Sequence, residues 1–171
     1  KVLSDNPQES SLDPKIVEAL LEAAAWAPFH RPAAKTHCES GDLNSKVPWR
    51  CYVLNVLACR TLRKTLLEEG DLTKIPAMLA TASNLIQMTW LPNKKTDGPV
   101  VPFDPTLENM EHIAAASAAI QNLLIAATAR NIKTYWSSGG CLRKEQNLER
   151  LGIPNREILL GSIFLFPEVN G

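Results

Sequence analysis

The stretch ENMEHIAAASAAIQNLLIAATAR, Glu108–Arg130, decides the fold. Met110, Ile113, Ser117, Ile120, Leu124 and Ala127 recur at helical spacing and fall on one face, while alanines cover much of the remainder. A helix that is apolar nearly all round is buried on more than one side. Its many small side chains also let a neighbouring helix approach closely. The apolar run Ile113–Ala129 falls short of the roughly 20 residues a membrane span needs. It also carries Ser117, Gln121, Asn122 and Thr128, so it reads as a buried helix of a soluble domain.

After this helix the sequence predicts a short strand at Lys133–Trp136, a glycine turn at Ser137–Gly140 and a helix over Arg143–Leu151 that ends at Gly152. A final strand at Ile158–Phe166 is closed by Pro167. Before it, Asp13-Pro14 is a helix start, an N-cap acceptor followed by proline at the first helical position. Ile16, Val17, Leu20, Leu21 and Ala24 continue that helix and Pro28 stops it. Phe29–Val47 reads as a long loop, Arg50–Leu57 as a strand and Arg60–Glu69 as a helix closed by Gly70. Ile75–Ser83 leans helical, Leu85–Trp90 leans strand, and Asn93–Pro105 is a second long loop. Loops of this length inside compact domains tend to be functional or disordered. Residues 1–12 form a polar arm, and residues 13–171 a single domain. Helices and strands alternate without a strict βαβ pattern, which favours the α+β class.

Composition narrows the function classes. The chain has 171 residues, 45% of them hydrophobic, enough for a core that needs no staples. Its 18 acidic and 18 basic residues cancel, which argues against nucleic-acid binding through phosphate neutralisation. No polybasic membrane anchor is present. Cys38, Cys51, Cys59 and Cys141 form no CxxC pair, as expected of free, partly buried thiols in an intracellular protein. The chain opens at Lys1, as a processed, tagged or partial product would.

Three places carry candidate chemistry. Ala27-Pro28-Phe29-His30-Arg31 puts a His and an Arg in a proline-bounded loop. There they can donate to an anion or to the carbonyls of a planar ligand, or form a solvated turn. Pro48-Trp49-Arg50 leads into a strand, with Trp49 expected as a core anchor. In Trp136-Ser137-Ser138-Gly139-Gly140 the glycines admit a ligand to the backbone, the serines add donors and a following helix N-terminus favours an anion. A plain strand-to-helix turn looks the same. His37-Cys38 with Cys51 lacks the pairings of a zinc site, and His112 is expected to pack or sit on the surface. No GxSxG, HExxH, P-loop or GxGxxG occurs.

In order, LLEAAAWAPFHR (20–31), PWRCYVL (48–54), AAASAAIQNLLIAATARNIKTYWSSGG (114–140) and EILLGSIFLFPE (157–168) resemble segments of the nitroreductase family, nearest its small single-domain members. The resemblance implies a central mixed, mainly antiparallel sheet flanked by helices, and FMN held at a homodimer interface built around the Ala-rich helix. It implies an NAD(P)H-dependent oxidoreductase that passes electrons to a nitroaromatic, quinone or similar small acceptor by a ping-pong route. Pro28, His30, Arg31, Ser137, Ser138, Gly139 and Gly140 would then lie by the flavin, with no metal and no catalytic side chain required. The chain also departs from the family. Residues 1–12 hold no arginine where an Arg-Arg-Ser stretch grips the flavin phosphate, and Pro32–Val47 is an insertion. Fewer cationic partners weaken phosphate binding. The alternative that follows is a nitroreductase-like fold with weak or lost flavin binding that serves as a structural or assembly subunit. The 32–47 insertion would offer such a partner its surface.

Overall fold

The computed structural model describes residues 11–41, 45–93 and 103–166. Most of the polar arm, residues 42–44 of the first long loop and residues 94–102 of the second therefore lie outside the described residues. The first helix, α1 (Pro14–Ala25), begins where Asp13 accepts from the Lys15 N–H at 2.9 Å. Strand β1 covers Trp49–Leu54. The sequence reading carried this strand on to Leu57. Instead Asn55 accepts the Ala58 N–H at 2.9 Å and starts α3 (Val56–Glu68) at once. Then follow α4 (Ile75–Thr81), β2 (Asn84–Trp90), α5 (Leu107–Thr128), β3 (Lys133–Ser137), a 3-10 turn (Gly140–Arg143), α6 (Glu145–Arg150) and β4 (Ile158–Phe166). Inside the first loop lies a short helix, α2 (Lys35–Glu39), which the sequence pattern did not reveal.

The strands form one sheet in the order β1-β2-β4-β3. Every pairing among the described residues is antiparallel, in keeping with the mainly antiparallel sheet flanked by helices that the resemblance implies. Trp49 faces Trp90, Trp90 faces Ile158 and Ser137 faces Ser162, which sets these residues toward one end of the sheet. A β-bulge between Met88 and Thr89 shifts the β2–β4 register there.

Each face of the sheet has its own core. On one face α1 and α5 pack Leu20, Ala24, Ala116, Ala119, Ile120 and Leu123 against Trp49, Ile86, Met88, Ile163 and Leu165. On the other, α3, α4 and the 3-10 turn pack Leu62, Leu66, Leu79 and Leu142 against Leu54, Leu85, Phe164 and Phe166. Each fully buried Leu contributes about 1.5–3 kcal/mol by leaving water.

The face of α5 that packs overlaps the one the sequence suggested at Ile120 and Ala127 and is otherwise rotated away from it. Asn109, His112, Ala115, Ala116, Ala119, Ile120, Leu123 and Ala127 are buried, whereas Met110 is 50% exposed. Alanine on all sides leaves the periodicity nearly flat, so contacts rather than pattern choose the face. Leu107 and Ile125, 59% and 58% exposed, share the outer side with Met110. Among the described residues, no helix is long and apolar enough to cross a membrane.

Candidate site at the N-terminal turns of α5

The segment after α1 is held at both ends. Ala27 is buried and its N–H returns to the Ala24 carbonyl at 3.1 Å, ending the helix. Phe29 stacks edge-on against Trp49 with ring centroids 5.9 Å apart, so Trp49 is the expected core anchor. Pro28 is exposed, and His30 and Arg31 turn toward Glu111 on α5. Arg31 Nε donates to Glu111 Oε2 at 2.6 Å, and His30 Nδ1 lies 3.4 Å from Oε1. Among the described residues, the terminal Nη1 and Nη2 groups of Arg31 have no partner. His30 is 80% exposed, so its Nε2 faces solvent. Burial pushes the Glu111 carboxyl up, but the donors of His30 and Arg31 outweigh it and hold the group below its usual range.

Two neighbours of Glu111 secure the surrounding chain. His112 is 1% exposed, its Nε2 3.2 Å from the Pro32 carbonyl, and the Trp90 indole N–H reaches its Nδ1 at 3.4 Å. Asn109 accepts from the Asn93 N–H at 3.0 Å and donates to the carbonyls of Asn93 at 2.8 Å and Asp104 at 2.9 Å. The described ends of the second loop are thereby pinned together.

The insertion is closed at its neck by the Ala33 N–H donating to the Lys46 carbonyl at 2.9 Å. His37 docks α2 on the exit of β2 through the Pro92 carbonyl at 3.3 Å. A pocket of about 260 Å³ lies between them, lined by Thr36, His37, Pro92, Asn93 and Arg156 among others.

The Ser137–Gly140 turn leaves the same end of the sheet by a different layer. Ser137 Oγ accepts the Gly139 N–H at 3.1 Å, and Arg143 Nε donates to the Ser138 carbonyl. Gly139 has φ 109°, a conformation that only glycine adopts readily. A Cβ there would lie 2.9 Å from Leu159 Cδ2 and 3.4 Å from Ser162 Oγ. The turn runs into a 3-10 turn and not straight into a helix, so the dipole suggested by sequence drops out. Single N–H groups and Arg143 remain as donors. Beneath the turn Ser162 donates to Gln87 Oε1, while Gln87 Nε2 is buried without a hydrogen-bond partner among the described residues.

His30 and Arg31 are thus brought together on Glu111, and Ser137–Gly140 form a separate turn. No hydrogen bond or ion pair joins the two groups among the described residues. Sequence reasoning missed Glu111, Asn109 and the role of His112. Apart from Asp104, five positions from Asn109, their partners lie 16 to 81 positions away, which no local spacing reports.

Elsewhere the polar groups serve the scaffold. All four cysteines are free, with burial pushing Cys51 and Cys59 up to about 12 and Cys141 to about 11. Among the described residues no group of three His, Cys, Asp or Glu side chains is placed to hold a metal.

Sheet order, two helical layers and the long central helix define an α+β domain of the nitroreductase type. The family model described as the nitroreductase family matches residues 8–165, and the chain belongs to that family. Solved structures agree on the fold. A nitroreductase-like family protein from Bacillus cereus superposes with TM-score 0.64 at 18% identity, covering 99% of this chain and 84% of that one. A nitroreductase family protein from Clostridium novyi gives 0.65 at 13% identity over 99% and 81% of the two chains. A nitroreductase with bound FMN from Bacteroides fragilis gives 0.55 at 17% identity over 100% and 85%. No curated protein sequence matches the chain significantly.

Proposed function

We propose that this chain is an FMN-dependent NAD(P)H oxidoreductase that reduces nitroaromatic, quinone or similar acceptors by a ping-pong route. FMN would supply the hydride-accepting and hydride-donating chemistry, which is why no acid–base pair is needed. Pro28, His30 and Arg31 would border it on one side and Ser137, Ser138, Gly139 and Gly140 on the other. Arg31 would donate to an anionic or carbonyl oxygen of the ligand, and the Gly139 backbone would allow close approach.

The observation that carries the reading is the posture of Arg31. Its Nε edge is taken by Glu111, while its terminal N–H pair stays available, the geometry of a guanidinium prepared for a second anion. The two groups of residues sit in different layers, and the outer face of α5 presents Leu107, Met110 and Ile125. A second copy of the chain packed on that face would cover these side chains, and the homodimer belongs to the same proposal.

Purified full-length protein tests it. The expected result is a yellow complex after FMN is added, NADH or NADPH oxidation with a quinone or nitroaromatic present, and a dimer by light scattering. A sample that stays colourless with excess FMN and oxidises neither nucleotide overturns it. That outcome would support a fold kept without its flavin, serving as a structural or assembly subunit. What favours this second reading is that Arg31 and Arg143 already spend their Nε groups within the chain.

A further inference from the structure

His112 sits between two partners whose chemistry fixes its protonation. The Trp90 indole nitrogen is a donor only, so the His112 Nδ1 that it reaches carries the lone pair. The ring proton is then on Nε2, and it donates to the Pro32 carbonyl at 3.2 Å. Pro32 follows Arg31 directly and precedes Ala33, whose N–H closes the neck of the insertion. One buried imidazole thus joins β2, α5 and the segment that carries His30 and Arg31.

We propose that His112, as the neutral Nε2–H tautomer, is a positioning residue for the His30–Arg31 segment. By holding the Pro32 carbonyl it keeps Arg31 against Glu111 through Nε, with the terminal N–H pair turned to an anionic ligand group, a phosphate or a carboxylate. The inference rests on the flavin-site reading only for the identity of that ligand.

A doubly protonated ring would keep its Nε2–H for Pro32 but set an N–H against the Trp90 N–H, which breaks the link to β2. The charged groups facing His112 are Glu108 and Glu111 from α5; Arg31 and Pro32 present backbone carbonyls, and Trp90 brings no charge. Burial lowers the His112 pKa from the ordinary 6.5, and those carbonyls and carboxylates only partly restore it. Since the folded value lies below the unfolded one, the neutral ring with both partners is present above about pH 6.5, and the Trp90 bond is lost only as pH falls through the lower folded value.

Three measurements on the full chain decide it. First, long-range nitrogen–proton NMR of the three histidines, with His112→Gln as the assignment control, should show His112 at pH 7 as the Nε2–H tautomer. An Nδ1–H tautomer or an imidazolium overturns the proposal. Second, exchange of the Ala33 amide, corrected for intrinsic rate, should speed up about tenfold in His112→Phe, as expected for losing one buried hydrogen bond, with β2 amides unchanged. His112→Gln keeps an amide donor for Pro32 and should hold Ala33 protected at pH 7. Loss of protection in His112→Gln, or wild-type protection in His112→Phe, overturns the proposal. If His112→Phe fails to fold, the tautomer and the His112→Gln comparison still decide. Third, FMN affinity should fall about tenfold in His112→Phe, in step with the exposed Ala33 amide. Unchanged affinity alongside lost protection overturns the positioning role. If the wild type binds no FMN, the functional reading fails, and the first two measurements still decide whether His112 holds the segment.

Discussion

Two glutamates, Glu157 and Glu111, each meet an arginine, and their surroundings differ in one respect. Glu157, at the foot of β4, has a side chain only 1% exposed. Its carboxylate takes Arg50 Nη1 at 2.8 Å, the Tyr52 hydroxyl at 2.9 Å and Thr89 Oγ1 at 2.6 Å. These donors come from β1 and β2, so the network stitches three strands and leaves nothing for a ligand. Glu111 is open: it takes only the edge of Arg31 and one nitrogen of an exposed His30. A buried charge must be fully answered within the protein, whereas one at the rim can leave its partner half engaged. The closed network belongs to the scaffold, and the open pair is where a ligand can enter.

Removing Glu157 should break this comparison most visibly. Glu157→Ala leaves a half-buried Arg50 without its counter-ion and the buried Thr89 hydroxyl without its acceptor, and should cost about 3–5 kcal/mol in chemical denaturation. Replacing Arg50 and Glu157 together by apolar residues of similar size should recover most of that loss, because no lone charge then stays inside. A double variant as unstable as the single one would show that the network does more than satisfy itself. Next comes the turn. Gly139→Ala should cost about 1–3 kcal/mol, since alanine at φ 109° is strained and its Cβ meets Leu159. If the turn borders FMN, flavin retention should fall as well. Loss of stability with normal retention would reduce Gly139 to a packing residue.

The closed part of the molecule was legible in the sequence and the open part only half so. Ile158–Phe166 reads as a strand because its apolar run is bounded and buried, and β4 has those bounds. Asp13-Pro14 announced α1 because capping is local chemistry. Asn55 is also a local cap, yet it sits in a run that alternates like a strand, so the boundary fell three residues late. At the site, His30 and Arg31 stood out by composition. Glu111 did not, for it is one of several polar residues opening an alanine-rich helix, and its partners lie 80 and 81 positions away. Tertiary packing alone makes it distinct.

The smallest effects test the open pair directly. Arg31→Ala should leave stability within about 1 kcal/mol, because exposed ion pairs contribute little. It should nevertheless weaken FMN binding about tenfold, the usual scale for a lost charge-assisted contact. Glu111→Gln is finer still. The amide keeps an acceptor for Arg31 Nε but loses the charge, so stability should not change measurably and FMN affinity should drop a few-fold. Exchange of the Ala33 amide then separates the carboxylate from the imidazole. Because the folded pKa of Glu111 is depressed, its contribution is present above the ordinary 4.5 and disappears only as pH falls through the lower folded value. Between pH 7 and pH 5 Glu111 therefore stays charged. Glu111→Gln should keep Ala33 as protected as in the wild type at pH 7, because the Pro32 carbonyl is still held by His112. If Glu111→Gln exposed the Ala33 amide instead, the ion pair at the rim would hold the segment, and the buried imidazole would be only a packing group.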